Sequence, residues 1–257
     1  MSLLRYAEHL DLPERHGLRE SFWESGILLI DKPAGISSMD VIRVLKRLIR
    51  ARKIGHGGTL DPFATGLLPI LINSATRFSN DIMIGTKEYE GVFILGESFD
   101  TQDITGSPVQ AKKPIPADFD LESLRDLAKQ FIGQIQQVPP IYSAIKKDGR
   151  KLYEYARSAE AVEIESRAVV VEDFKILDWD GMDRVRFTVR VQKGVYVRSL
   201  IHDLGAETGF GAVLAELRRT RVGSLYIEEA VQLSTLKFVS DIKENLKPIT
   251  SIQRSEK

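Results

Sequence analysis

An α+β fold is what this sequence predicts, and three observations carry the prediction. Strand-like and helix-like segments follow one another without regular alternation, which argues against the repeating units of a doubly wound sheet. "RAVVVEDFKIL" and "RVRFTVRVQ" are rich in β-branched and aromatic residues and flank "DWDGMD", so they read as a hairpin. "SSMDVIRVLKRLI" and "LESLRDLAKQFIG" carry their apolar residues at helical spacing.

Taken in order, residues 1–26 read as a polar extension, and Ile27–Ile30 ("ILLI") as a short buried strand closed by Asp31-Lys32-Pro33. Ser37 with Asp40 three places on forms a capping-box signature, followed by Val41, Leu45 and Leu48 at helical spacing. "YEGVFILG" (Tyr89–Gly96) reads as a strand, and Leu121–Gly133 as an amphipathic helix ended by glycine. "PPIYSAIKKDGRKLYEYAR" reads as an extended loop entering a helix. In "RVRFTVRV", Val185, Phe187, Val189 and Val191 alternate with Arg184, Arg186, Thr188 and Arg190, so one face of that sheet meets solvent or a ligand. "SLIHDLGAETG" and "AVLAELRRTR" read as short helices broken by glycines.

Composition narrows the function. The chain has 257 residues, 43% hydrophobic and 28% charged, enough to bury a core. Formal net charge is zero, so any nucleic-acid case must come from local clusters. The absence of cysteine excludes disulfides, thiolate catalysis and cysteine-based zinc sites. The N-terminus lacks an apolar signal core, and the uncharged run 62–76 is too short for a membrane span. A soluble, cytoplasmic protein is the expectation.

The densest chemistry lies in "RKIGHGGTLDPFATGLLPI", residues 52–70. Asp61 is a favoured helix N-cap, Pro62 suits a first helical position, and glycines supply turns. Several glycines also let a loop approach a ligand closely, so Asp61 is equally a candidate reaction centre. No Lys-Ser/Thr pair follows them, which excludes a P-loop. His9, His16, His56 and His202 form no i, i+4 pair, Asp100 and Asp103 lack the EF-loop spacing, and no nucleophile elbow is present. Neither a metal nor a cofactor is expected.

Three basic runs, "RVLKRLIRARK", "KKDGRK" and "RRTR", favour a phosphate-tracking surface, with Tyr142, Tyr153, Tyr155 and Tyr196 interleaved as base-stacking candidates. In "QKGVYVRSLIHDLG", Tyr196 and Arg198 sit two apart on a resumed strand and share a side. They are either a sheet-surface pair or a pocket in which Arg198 meets a carboxylate; beside Asp61, it would keep that group ionised.

Together the stretches "LLIDKPAGISS", "GHGGTLDPFATGLLPI", "KEYEG", "DTQDITG", "YSAIKKDGRKLYEYAR", "KGVYVRSLIHDLG" and "AELRRTRVG" resemble the TruB family of pseudouridine synthases, in that family's order, from about Ile27 to Gly223. The resemblance implies a pseudouridine-synthase fold: a mixed, mainly antiparallel sheet flanked by helices and loops, with an active-site cleft across the sheet. It implies Asp61 as the catalytic aspartate, Arg198 as its pairing arginine, Asp103 as a second acid of that network and Tyr89 as the ring that stacks on the target base and assists proton transfer. His56 matches the histidine that holds the flipped-out loop. Tyr196 and Leu217 match pocket-lining contacts, and Lys32 with Pro33 a motif that supports the catalytic loop. Phe99 departs from the threonine frequent there.

The expected organisation is an extension over 1–26, a catalytic domain over 27–245 with an RNA-gripping insertion at about 137–167, a polar tail over 246–257, and no full C-terminal PUA domain. The implied reaction converts uridine to pseudouridine in the T-loop of tRNA, at position 55, on a flipped-out nucleotide. The N1–C1′ bond breaks and a C5–C1′ bond forms, with no cofactor or metal. The implied partner is the tRNA T-arm stem-loop, met by a monomer. The guide-RNA-dependent dyskerin/Cbf relatives share "GGTLDP" and "ELRRTR" but lack "KKDGRKLYEYAR". An N-glycoside hydrolase using Asp61 with a second carboxylate, and an RNA-folding chaperone, are the alternatives from other classes.

Overall fold

The computed structural model describes residues 20–158 and 160–251. The chain runs β1 (Glu20–Phe22), β2 (Gly26–Lys32), α1 (Ser38–Leu48), β3 (Ile49–Ala51), β4 (Ile54–His56), β5 (Thr65–Ile72), α2 (Ser79–Ile84) and β6 (Lys87–Leu95). It continues through α3 (Leu121–Lys129), β7 (Gly133–Gln137), β8 (Lys146–Lys147), β9 (Arg150–Lys151), α4 (Leu152–Arg157), β10 (Arg167–Trp179) and β11 (Arg184–Val191). It closes with α5 (Val197–Thr208), β12 (Ala212–Val222), β13 (Leu225–Tyr226), β14 (Val231–Gln232), α6 (Val239–Asn245) and β15 (Leu246–Lys247). The fold is α+β, with a mixed sheet and flanking helices. The chain forms two compact units: one holds the residues up to Tyr89 and from Arg218 onward, the other Glu90–Leu217.

In the first unit, β2 and β5 pair antiparallel from Gly26↔Ile72 to Lys32↔Gly66. Beyond β2 lie β14, parallel, and β15, antiparallel. β5 takes β12 in parallel at Arg218↔Thr65. Because β2 and β5 are covered on both faces, they are near-continuous apolar runs without alternation, and Ile27, Leu29, Leu67 and Leu71 pack with Ile82, Val222 and Leu225. The helix predicted after Ser37 is α1. Ser37 Oγ accepts from the Asp40 N–H (3.2 Å) and the Asp40 carboxylate accepts from the Ser37 N–H (3.0 Å), which satisfies two orphan helix donors. Val41, Ile42, Val44 and Leu45 are buried, while Arg43, Lys46 and Arg47 face solvent.

Both chain ends differ from the sequence expectation where they are described. Residues 1–19 and 252–257 lie outside the described residues, but Glu20–Phe22 pairs with β3 and buries Phe22. Leu246–Lys247 pairs with β2 rather than trailing as a polar tail.

In the second unit, the predicted hairpin is β10–β11, with β7 on the other edge of β10. Val185, Phe187, Val189 and Val191 are buried, and Phe187 meets Phe93 and Phe174 with ring centroids 5.8 and 5.9 Å apart. The opposite face is neutralised by its own ion pairs, Arg186–Asp178, Arg190–Glu172, Arg184–Glu216 and Lys175–Asp173. These exposed pairs each contribute about 0–1 kcal/mol and make it a solvated face. α3 starts on Asp120, which accepts from the Ser123 N–H (2.8 Å), and stops at Lys129, short of Gly133, which opens β7.

Two sequence expectations fail here. "AVLAELRRTR" is strand β12, not a helix, because partners in the sheet outweigh the helix propensity of Ala, Leu, Glu and Arg. Tyr196 and Arg198 do not lie on a resumed strand. Tyr196 is the N-cap of α5 and Arg198 lies in its first turn, after the chain bends at Gly194 (φ 102°).

Within α5, Gly205 touches the start of β12: a Cβ there would lie 2.0 Å from the Ala212 nitrogen. Gly205→Ala should therefore destabilise the protein by about 1–3 kcal/mol through overpacking, despite a helix-propensity gain of about 1 kcal/mol. A lowered urea midpoint at unchanged slope checks this; an unchanged or raised midpoint contradicts it.

Candidate active site

Asp61 caps no helix. Residues 61–64 form a bend and the chain then enters β5, which removes the N-cap reading. The half-buried Asp61 sits instead on a loop whose backbone is fastened by three buried side chains. Lys32, with no exposed surface, donates from Nζ to the carbonyls of Pro33 (2.8 Å), Ile36 (2.8 Å) and Pro62 (3.3 Å). Ser38 Oγ accepts from the Leu60 N–H (2.8 Å) and donates to its carbonyl (3.1 Å). Arg219, also buried, donates to the carbonyls of Gly58 (3.1 Å), Thr59 (3.3 Å) and Leu67 (2.8 Å). The Gly35 N–H adds a bond to the Pro62 carbonyl (2.8 Å).

Two glycines of this loop meet local demands of their own. A Cβ on Gly57 would lie 2.5 Å from Ile82, and Gly58 has φ +122° beside the Arg219 guanidinium. Burial pulls Lys32 down to about 8; the negative charge of Asp61 opposes that fall and Arg219 adds to it. His56, at the end of β4, is half-buried and held below its usual range by burial and then by the Arg219 charge, so it is neutral at pH 7. Tyr89 is half-buried on β6.

The second unit holds the other predicted group. Arg198, buried in the first turn of α5, donates to the carbonyls of Thr101 (2.8 Å) and Tyr142 (3.0 Å) and lies 3.5 Å from the buried Asp103 carboxylate. Asp103 is itself held by the Thr105 N–H (2.9 Å) and the Thr101 hydroxyl (3.0 Å). Tyr196 is clasped through its backbone by the buried Gln137, which accepts from its N–H (2.8 Å) and donates to its carbonyl (3.1 Å). The Arg167 guanidinium lies 5.2 Å from its ring centre. Leu217 is buried on β12. The structure thus brings Lys32 to the Asp61 loop and Asp103 to Arg198. Asp61, His56, Tyr89 and Lys32 belong to one unit, and Arg198, Asp103, Tyr196 and Leu217 to the other.

The basic runs divide. In "RRTR", Arg218 pairs with Asp31 (2.8 Å) and Arg221 with Glu88 (3.0 Å), both half-buried, while Arg219 is buried, so each arginine of this run has a partner within the chain. Arg47, Arg50, Arg52 and Lys53 are exposed. In the 146–157 segment the tyrosines meet cations: Arg150 lies 4.3 Å from the Tyr155 ring centre and Arg157 5.2 Å from that of Tyr153. Sequence reading missed Ser38 and Arg219. The available signal for Arg219 was strand alternation, which puts it on the same side as Leu217. Among the described residues no cluster of three or more His, Cys, Asp or Glu is placed to hold a metal ion, and no helix is long and apolar enough to cross a membrane.

Comparison with known proteins assigns the class. Residues 46–197 match the family described as TruB family pseudouridylate synthase (N terminal domain), and 198–250 match the tRNA pseudouridylate synthase B C-terminal domain. This is a pseudouridylate synthase. The protein from Burkholderia lata named tRNA pseudouridine synthase B is 43% identical over 88% of this chain and 70% of its own. One of the same name from Cupriavidus metallidurans is 46% identical over 84% and 68%. The chain belongs to the TruB family. Among solved structures, a chain of a Cbf5-Nop10-Gar1 complex superposes with TM-score 0.68 at 29% identity, covering 88% of this chain and 61% of that one. A chain of an H/ACA RNP bound to a substrate RNA containing 2′-deoxyuridine gives 0.62 at 28% identity, covering 88% and 57%. This chain spans about three-fifths of those solved chains.

The burial of Lys32 sets a testable pH dependence. Below pH 8 the residue is protonated in folded and unfolded chains alike, and the burial penalty is present in full. Between about 8 and its ordinary value of 10.5, the unfolded chain holds a proton that the folded chain has released, so stability from this residue rises with pH. Urea unfolding across that range should show wild type gaining stability relative to Lys32→Met; parallel curves would contradict it.

Proposed function

We propose that this protein isomerises uridine to pseudouridine at position 55 in the T-loop of tRNA, with Asp61 as the catalytic carboxylate acting on a flipped-out nucleotide. One observation carries the reading: in a chain of this family, Asp61 caps no helix and sits on backbone fixed by Lys32, Ser38 and Arg219. The relatives named tRNA pseudouridine synthase B, at 43 and 46% identity, favour tRNA over a guide-RNA assembly, whose solved chains are 28 and 29% identical. The partner is the T-arm stem-loop. The reading carries with it a monomeric enzyme in the cytoplasm that needs no metal or cofactor.

The chemistry follows from what each group can do. The target base must leave its stack, at a cost of a few kcal/mol. Tyr89 offsets part of this by stacking, about 1–3 kcal/mol for an aromatic contact. Exposed Arg47, Arg50, Arg52 and Lys53, with the tyrosine- and lysine-rich 146–157 segment, hold phosphates. Neutral His56 supports the displaced loop, and Tyr196 and Leu217 line the base pocket. Asp61 stabilises or attacks the reacting nucleotide as the N1–C1′ bond breaks. The uracil turns, C5 bonds to C1′, and the C5 proton departs while N1 gains one, so substrate and product are isomers. Arg198 is the arginine of the catalytic network in this reading, and Asp103 with the Thr101 and Tyr142 carbonyls orients it.

Asp61→Asn should abolish tritium release from a C5-labelled T-arm while RNA binding persists; near-normal turnover would overturn the assignment. Arg198→Lys should lower the single-turnover rate about 10²-fold with little change in affinity, because the planar fork that meets three acceptors at once is lost. An unchanged rate would remove Arg198 from the reaction.

A further inference from the structure

We infer that Arg219 is a positioning residue for the reaction, fixing the backbone that presents Asp61. The inference rests on the catalytic reading of that loop and adds to it a residue from a distant part of the chain. Strand alternation in β12 turns Arg219 to the side of Leu217 and Arg218 to the opposite side, where Arg218 pairs with Asp31. Arg219 is 1% exposed. Its Nε donates to the Leu67 carbonyl on β5, while Nη1 and Nη2 donate to Thr59 and Gly58 on the loop. One rigid, planar guanidinium thus ties the loop to the strand it feeds.

The residue type matters for two reasons. A lysine ammonium is a point donor on a flexible stem and cannot reproduce a fork directed at three carbonyls. The charge matters as well, because Arg219 lies close enough to lower the proton affinity of both His56 and Lys32, after the larger effect of burial. Replacing the arginine should therefore loosen the loop, and removing its charge should also change the titration of His56. A purely space-filling role would do neither.

The test compares Arg219→Lys and Arg219→Met with wild type and Asp61→Asn on a T-arm stem-loop, measuring RNA affinity, single-turnover rate and the His56 titration by NMR. Arg219→Lys should keep RNA affinity and the His56 titration but lose about 10²-fold in rate, the loss expected from a misplacement on the order of 1 Å. Arg219→Met should lose at least as much rate, and its His56 should titrate higher because the neighbouring positive charge is gone. If Arg219→Met does not fold, Arg219→Lys decides. A folded Arg219→Lys at the wild-type rate beside an inactive Asp61→Asn overturns the role of Arg219 alone. An active Asp61→Asn overturns the catalytic reading of the loop, and this inference with it.

Discussion

Two buried cations and the carbonyls they hold are the constraint on which the candidate site depends. Lys32 ends β2 and Arg219 lies on β12, and these strands pair with β5 on its two sides. The loop carrying Asp61 leads directly into β5. It is therefore fastened from both neighbouring strands, by Lys32 at Pro62 and by Arg219 at Gly58 and Thr59, with Ser38 of α1 holding Leu60 between them. Burying two positive charges is costly unless their donors are satisfied, and here every bond described for them ends on a main-chain carbonyl. Burial still pulls Lys32 down to about 8, so part of that cost remains. A side-chain anchor for an irregular loop would be excessive for a turn. It is reasonable where a carboxylate must be held in a reactive geometry before substrate arrives.

The second unit uses the same device. Arg198 is oriented by the Thr101 and Tyr142 carbonyls as well as by Asp103, and Tyr196 is clasped through its backbone by Gln137. Apart from the Asp103 ion pair, each of these contacts joins a side chain to the main chain of a segment distant in sequence. This explains why the acidic "DTQD" loop and the "PPIYS" segment matter to Arg198, 97 and 56 positions away from Thr101 and Tyr142: they supply main-chain acceptors.

Local physics made much of this legible from sequence. The Ser37–Asp40 capping box, the alternation in "RVRFTVRV" and the buried run "ILLI" each appear where their chemistry puts them. What failed was non-local. "AVLAELRRTR" is composed of helix formers, and only its sheet partners make it a strand. "RRTR" reads as a surface charge run, yet each of its arginines has a separate internal task that depends on Asp31, Gly58 and Glu88, far away in the chain. Of the glycines beside Asp61, Gly57 is closely packed against Ile82 and Gly58 holds a positive φ, two demands that only the folded chain reveals. Asp61 itself was ambiguous between cap and catalyst. Tertiary structure removes the cap, and family membership rests on the ordered motifs rather than on any single residue.

If the loop is set before substrate binds, its amides must already be protected in the free protein. Hydrogen exchange of Gly57 and Leu60, whose N–H groups bond to the Pro69 carbonyl and Ser38 Oγ, measures this directly. Equal, slow exchange with and without a T-arm stem-loop is the predicted result. Fast exchange in the free protein that slows only when RNA binds would contradict the account, because it would mean that the substrate rather than Lys32, Ser38 and Arg219 builds the site.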